Sequence, residues 1–416
     1  MDGGGQGQQH QGQLTAVPIT PVPHIAIAGA GIGGLCTALA LIQQGFTVAV
    51  YEQASQLGAV GAGLQLSPNA TRVLQQLGLA PALQPLVSEA HGKEIRLWSS
   101  GRRWKLFDLG EDCRARFGAP YWMVHRGDLH QVLLDAVRAR APDALALRSR
   151  VVRAKNSAAG VRFMLADGRM YEANALIAAD GVHSVVREQM LGEDKARFTG
   201  LMAWRGLVPM ERVPEALRTS VGTNWVGPGA HVITYPVRAG QLLNVVGIVE
   251  RGDWRGESWM DAGAPEDLLR DFATWHTEVR LLMKQIERPF KWALLGRPPR
   301  HGWTQGNICL LGDAAHPTLP FLAQGAGMAI EDAMVMVRCL AANPTPQQAF
   351  KRFEALRWQR TADIVNRSQD NAGRFHNPQL ADPARAEAYV DAEWQPDAVR
   401  RRYDWLFEYD ATKVAL

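Results

Sequence analysis

Short unbroken apolar runs alternate along the chain with stretches of helical spacing. The first run, His24 to Ala28, turns at once into Gly29-Ala30-Gly31-Ile32-Gly33-Gly34. A helix-compatible stretch, Leu35 to Gln44, follows; Gly45 breaks it, and the β-branched run Phe46 to Tyr51 resumes extended structure. The pattern predicts strand, turn, helix, strand.

Beyond Glu52, Gly58, Gly61 and Gly63 mark a flexible loop, and Ser67-Pro68-Asn69 leads into a helix from about Ala70 to Leu77, ended by Gly78. Glu94 to Leu109 reads as a hairpin about Ser100-Gly101. Tyr121 to Arg126 is a short strand, and Leu129 to Ala139 is a helix with Asp128 as its expected N-cap. Val151 to Ala154, Val161 to Leu165 and Met170 to Ala173 predict a small antiparallel layer, and Ala175 to Ala179 a buried strand ending in Asp180-Gly181. From about Gly200 to Glu250 the texture changes to alternating strands, and Asp267 to Ile286 reads as one or two helices. Asn307 to Leu311 returns to buried strand, and from Pro346 helical spacing runs through about Gln369.

These elements predict an α/β chain with a β-rich domain inserted between the halves of a nucleotide-binding one. The expected segments are an extension over 1–23, a first nucleotide-binding part over 24–199, the inserted domain over 200–295, a return over 296–345, and a helical region over 346–416. The extension is rich in Gly, Gln and Pro and is expected to be disordered; it lacks the basic and apolar regions of a signal peptide.

Composition narrows the class. A net charge of +4 with no Lys/Arg block gives no nucleic-acid footprint. No segment stays apolar for the roughly eighteen residues of a membrane span. Four scattered cysteines, Cys36, Cys113, Cys309 and Cys339, have no metal-ligand spacing and are expected to be reduced thiols in a cytoplasmic protein.

The chemistry concentrates in the glycines. Gly29 permits a tight turn, Gly31 lets backbone amides approach a pyrophosphate, and Gly34 lets the helix pack close to the strand. Glu52, about twenty residues on, is placed to accept hydrogen bonds from a ribose diol. Gly63 belongs to a loop over which a flat cofactor is expected to lie, and Arg126, at a strand end, is a candidate contact to its phosphate or ribityl chain. In Asn307 to Asp332 a buried strand stops at Gly312, Asp313 stands at its carboxyl end, and a helix is expected from near Phe321 with Gly325 and Gly327 in its first turns. Each helical glycine costs roughly 1 kcal/mol relative to alanine, so two together suggest that something flat approaches the backbone.

Three motifs in order carry a resemblance. Gly29, Gly31 and Gly34 form the first; Asp180-Gly181, Ser184 and Arg187 the second; Gly312-Asp313, His316, Pro320, Gly325 and Asp332 the third. Together they resemble the class A flavoprotein aromatic hydroxylases, the single-component group that includes salicylate and 3-hydroxybenzoate hydroxylases. Gly327 is a departure, since many members carry asparagine there. The W-x-W-x-I-P segment of flavin halogenases is absent from the sequence.

The resemblance implies a Rossmann-like FAD-binding domain, FAD as cofactor, NADH as reductant with NADPH as the alternative, and a homodimer as the usual state. In that family the reduced flavin adds O2 at C4a and delivers one oxygen to a small aromatic substrate, an electron-rich phenol, and a base near the phenol hydroxyl speeds transfer. His231 and Tyr235 lie four apart on a strand, hence on one face, and resemble the substrate-side pair of hydroxybenzoate and hydroxynicotinate hydroxylases; Tyr121 resembles a further substrate-side tyrosine. Gln65, Trp204, Trp225 and Phe321 are candidates for an aromatic pocket, Arg205 for the partner of a substrate carboxylate, and Pro320 for a contact through its carbonyl. Glutamine is expected at the Pro320 position of 3-hydroxybenzoate hydroxylases and histidine at the Phe321 position of hydroxynicotinate ones. Both specialised readings lose support on that ground; a salicylate- or 3-hydroxybenzoate-like substrate leads, with a hydroxylated N-heterocycle, a reductase without oxygen activation and a redox sensor as the alternatives.

Overall fold

The computed structural model describes residues 24–58, 62–194, 196–252 and 261–416. The N-terminal extension and Gly61 of the glycine-dense loop lie outside the described residues.

A six-stranded sheet runs in the order Thr304–Gln305, Ile308–Leu310, Ala175–Ala178, His24–Ala28, Thr47–Tyr51, Leu145–Ala146. Its pairs are parallel except the edge pair Thr304–Gln305 with Ile308–Leu310. Parallel strands need long crossovers, and helix Ile32–Gln43 supplies the one between His24–Ala28 and Thr47–Tyr51. The sheet is covered on both faces, so its strands read as unbroken apolar runs.

A second sheet has eight strands, in the order Asp261–Ala262, Phe290–Gly296, Arg197–Pro209, Leu242–Glu250, Ala230–Val237, Val221–Gly227, Gly92–Leu97, Arg103–Asp108. The hairpin expected within 24–199 therefore belongs to the inserted sheet, where Gly92–Leu97 pairs in parallel with Val221–Gly227. A local turn signal reveals a hairpin; it carries nothing about a partner strand far along the chain. The small antiparallel layer forms as expected, from Val151–Ser157, Gly160–Leu165 and Met170–Ala173.

One face of the eight-stranded sheet is sealed by helices Pro265–Asp271 and Thr277–Met283 around Trp204, Phe272 and Trp275. The other looks toward the nucleotide domain and the C-terminal helices. Strand alternation decides which side chain goes where. Arg205 faces the nucleotide domain, so its neighbour Trp204 points the other way and donates its Nε1–H to Asp271 at 2.7 Å. Trp225 is likewise fully buried, under the Arg96 guanidinium at 5.2 Å. Both tryptophans are core, not the pocket wall expected of them.

Helix boundaries differ from the sequence pattern in several places. The helix after Trp122–His125 spans Arg126–Arg140, with Asp128 inside its first turn; Asp128 accepts from Arg238 at 2.9 and 3.0 Å instead of capping. The long C-terminal helix spans Pro346–Phe375, beyond Gln369, and is followed by Pro383–Glu393 and Pro396–Glu408. Among the described residues no helix is long and apolar enough to cross a membrane, and no group of acidic, His or Cys side chains could hold a metal.

Candidate active site

A cleft of about 360 Å³ lies between the two sheets. Gly31, Ile32 and Gly33 line one end, Gly312, Asp313 and Gly325 the middle, and Gln65, Arg205 and Tyr235 the other. Gly63, Arg126, Gly181 and Pro320 complete the wall.

At the nucleotide end the glycines divide their work. A Cβ on Gly29, whose φ is +98°, would sit 2.4 Å from the Ala179 carbonyl oxygen, and one on Gly34 2.0 Å from the Gly29 oxygen. Both are packing glycines. A Cβ on Gly31 would meet nothing within 4 Å, which leaves room for a ligand against the backbone. Helix Ile32–Gln43 begins there with no side-chain cap and no acid in its first turn, so its N–H groups open on the cleft. Glu52 accepts from the Ala30 amide at 2.7 Å and the Ala54 amide at 2.8 Å, one on each oxygen. Each carboxylate oxygen keeps a lone pair for a ribose hydroxyl.

The second motif fastens the third. Arg187 donates to the carbonyl oxygens of Ala314 and Ala315 at 2.9 and 2.7 Å and pairs with Asp194 at 2.7 Å. Ser184 caps its own helix by accepting from the Arg187 amide at 2.9 Å. Asp180 is held up by burial, and its Oδ1 is buried without a hydrogen-bond partner.

Asp313 is exposed to the cleft. Pro320–Leu322 forms a single 3-10 turn, and the helix begins only at Gly325, running to Ala342, again with an uncapped N-terminus. The prolines stiffen the turn and delay the helix beyond the Phe321 start expected from sequence. Gly325 lines the cleft. Gly327 does not: a Cβ there would point at Gln324 Oε1, 3.1 Å away, so its smallness serves the Gln324–Asn69 hydrogen bond of 2.9 Å.

Behind this helix lies a charge cluster of which the third motif supplies only His316 and Asp332. Asp332 accepts from His316 at 2.6 Å, the Gly312 amide at 3.1 Å and Arg357 at 2.7 Å. Glu331 pairs with Arg357 and Arg360, each at 2.7 Å, and Arg357, Glu331 and Asp332 are wholly buried. Burial alone would push the Asp332 carboxyl up; His316 and Arg357 overcome it and hold it at about 2.

At the far end Tyr121 donates to Gln65 Oε1 at 2.8 Å, and Tyr235 also bonds Gln65. Burial pushes both phenols up, so both stay protonated donors at neutral pH. Tyr121 touches the cleft only through Gln65. The Arg205 guanidinium stacks 3.3 Å from the Trp292 ring centroid, and its Nε is buried without a partner. Among the described residues no carboxylate pairs with it, and burial lowers it to about 10, so it remains a cation at neutral pH. Arg126 and Arg205 also border a second cavity of about 600 Å³ beside Trp292.

His231 shares a strand face with Ile233 and Tyr235 but lies one pleat beyond the cleft wall, fully buried. The Phe321 and Phe375 rings are 5.4 and 5.1 Å from it, so Phe321 packs on His231 instead of lining the cleft. Its Nδ1 meets His376 Nε2 at 2.6 Å, and His376 Nδ1 meets Glu250 Oε1 at 3.0 Å. His376 and Glu250 carry no motif that would have found them.

Two uncapped helix N-termini and an open glycine backbone on one cleft, with Glu52 bonded to the Ala30 amide beside it and Asp180 between its lining residues Ala179 and Gly181, fit an anionic dinucleotide. The fold and site are those of a flavin-dependent aromatic hydroxylase. The chain belongs to the FAD binding domain family, which it matches over residues 23–368. It is 37% identical over 394 residues to a 3-amino-4-hydroxybenzoate 2-monooxygenase of Streptomyces platensis, covering 94% of this chain and 97% of that one. Its identity to the 3-hydroxybenzoate 6-hydroxylase of Polaromonas naphthalenivorans is 34%, over 93% and 96% of the two chains. Among solved structures, Klebsiella pneumoniae HpxO complexed with FAD and uric acid superposes with a TM-score of 0.79 at 27% identity, over 91% of this chain and 96% of that one. The protein is an FAD-dependent monooxygenase, with NADH or NADPH as its electron donor.

Proposed function

We propose that this monooxygenase hydroxylates a phenol bearing a carboxylate, of the hydroxybenzoate or aminohydroxybenzoate kind, with NADH as the preferred donor. Arg205 carries the reading: a cation that pairs with no carboxylate among the described residues lines the cleft, and such a charge is stabilised by an anion that arrives with the substrate. Relatives acting on 3-amino-4-hydroxybenzoate and 3-hydroxybenzoate support the same ligand chemistry.

Bound FAD supplies the activated oxygen. The chain's own residues supply position and protonation. Gly31, Glu52, Asp180, Asp313 and Gly325 hold the cofactor; Arg205 takes the substrate carboxylate; Gln65 and Tyr235 set the ring in the cleft, with Tyr121 orienting Gln65. His231, expected from the sequence as the base, lies fully buried one pleat beyond the cleft wall and does not reach the ring. Ile233, Val246 and Ile248 exclude water from the wall of the cleft.

The test is consumption of NADH and O2 by the FAD-loaded protein with 3-amino-4-hydroxybenzoate, 3-hydroxybenzoate, salicylate and 6-hydroxynicotinate, peroxide and product being measured together. A benzoate that speeds NADH oxidation and gains one oxygen atom is the expected result. Coupled turnover with 6-hydroxynicotinate alone would move the assignment to N-heterocycles, and stimulation with peroxide as the only product would remove the tested acids as substrates.

A further inference from the structure

The first glycine turn is held from two sides. Glu52 accepts from the Ala30 amide at 2.7 Å. The carbonyl oxygen of Ala30, on the next peptide, lies 2.7 Å from His130 Nε2. A carbonyl oxygen only accepts, so Nε2 carries a proton and donates it. His130 sits in the second turn of helix Arg126–Arg140, half-buried, and does not line the cleft. No motif in the sequence singles it out.

The peptide between Ala30 and Gly31 is trans, so its C=O and N–H point in opposite directions. With the oxygen held toward His130, the Gly31 N–H is aimed the other way. Its neighbours in the turn are committed: the Gly29 amide donates to the Tyr51 oxygen at 2.8 Å, and the Gly31 oxygen accepts from the Leu35 amide at 2.9 Å. The Gly31 amide has no acceptor among the described residues, and Gly31 lines the cleft with open space where a Cβ would stand.

Glycine at this position makes an outside hold necessary. Turning the peptide over changes ψ of Ala30 and φ of Gly31, and a residue without a Cβ takes either sign of φ at little cost. The turned peptide would set a carbonyl oxygen, instead of an N–H, against an anion. Gly31 has φ −72°, and the bond from His130 selects that arrangement.

On the footing that Gly31 holds the cofactor through its pyrophosphate, we propose that His130 is a positioning residue for cofactor binding. By gripping the Ala30 carbonyl it keeps the Gly31 amide presented to the pyrophosphate, and it does so without touching the cofactor. Glu52 fixes the peptide before it.

The experiment strips flavin from the full chain and titrates back FAD, ADP and adenosine, FAD by the quenching of its fluorescence and the other two by competition with it. His130→Ala should weaken FAD and ADP about tenfold each, as the loss of a hydrogen bond to a charged group does. Adenosine, which carries no phosphate, should bind as before, so the ratio of ADP to adenosine affinity separates the hold on the amide from any general loosening. His130→Gln, whose carboxamide N–H can donate to the same carbonyl, should restore both phosphate ligands. Native affinity for FAD and ADP in His130→Ala would overturn the proposal. So would a weakening that adenosine shares equally, or one that His130→Gln does not relieve. Gly31→Ala separates the two levels, because its Cβ enters the open space beside the amide. Native FAD and ADP affinity there would overturn Gly31 as a cofactor contact and His130 with it; weakened binding there, with native affinity in His130→Ala, would overturn His130 alone.

Discussion

The backbone amide of Gly63 donates to Asn244 Oδ1 at 2.7 Å, tying the strand that borders the cofactor cleft to the middle of the inserted sheet. A Cβ at position 63 would lie 2.5 Å from Tyr235 Cε2 and 2.9 Å from Asn244 Cγ. The glycine that sequence assigns to a flexible loop is therefore the point where the cofactor and substrate walls touch. Gly63→Ala must push Tyr235 off its place, at about 1–3 kcal/mol for an overpacked contact. The expected outcome is a rise of roughly tenfold in KM for the aromatic acid with bound flavin retained. Unchanged KM would mean that the ring of Tyr235 does not set the substrate.

The buried cluster at Asp332 predicts acid behaviour. Its carboxyl lies at about 2 in the fold, against about 3.9 when unfolded. A depressed carboxylate stabilises the fold above the unfolded value, and the contribution is lost as pH falls through the folded one. Part of the acid unfolding should therefore fall between about pH 4 and 2. Asp332→Asn, which leaves the Arg357 guanidinium buried with one counter-ion fewer, should cost about 3–5 kcal/mol and flatten that part of the acid limb. Thermal melting by circular dichroism at neutral pH and at steps from about pH 4 down to about pH 2 checks both; an unchanged melting temperature would mean that solvent reaches the cluster.

Asp313 faces the cleft while Asp332 lies buried behind it, so the two acids of the third motif separate by experiment. Asp313→Ala should purify largely without its yellow colour yet melt within about 0.5 kcal/mol of the native apoprotein, as a change at an exposed position does. Full retention of flavin, read from the ratio of visible to ultraviolet absorbance, would remove Asp313 from the cofactor site.

The nucleotide half was legible because its devices are local. Gly29 to Gly34, Asp180 to Arg187 and Gly312 to Asp332 each compress strand end, turn and helix start into a few residues. The inserted sheet was less legible: Gly92–Leu97 joins it through a parallel pairing, and the orientation of Trp204 follows from Arg205 facing the cleft, which needs the strand's place in the sheet. His231 and Tyr235 could be set on one face from spacing alone. The partners of His231 could not, because His376 and Glu250 come from a helix end and a strand end that only the tertiary fold brings together.

Arg205 gives the sharpest test of substrate class. Its guanidinium is held against Trp292 with Nε unpartnered, so a carboxylate in the cleft would gain a charge-assisted bond in a low-dielectric wall. Arg205→Met should lower kcat/KM for a hydroxybenzoate by about a hundredfold, the loss of one bond to a charged group worth about 1.5–3 kcal/mol, while the corresponding neutral hydroxybenzamide loses little. Arg205→Lys keeps the charge but not the planar stack and should recover only part of the rate. The guanidinium at about 10 is protonated below that pH and loses charge above it, so the native preference for acid over amide should fade as pH rises past about 10. An equal loss for acid and amide in Arg205→Met would assign Arg205 to the flavin or to packing on Trp292, and the carboxylate would then have to be sought elsewhere in the cleft.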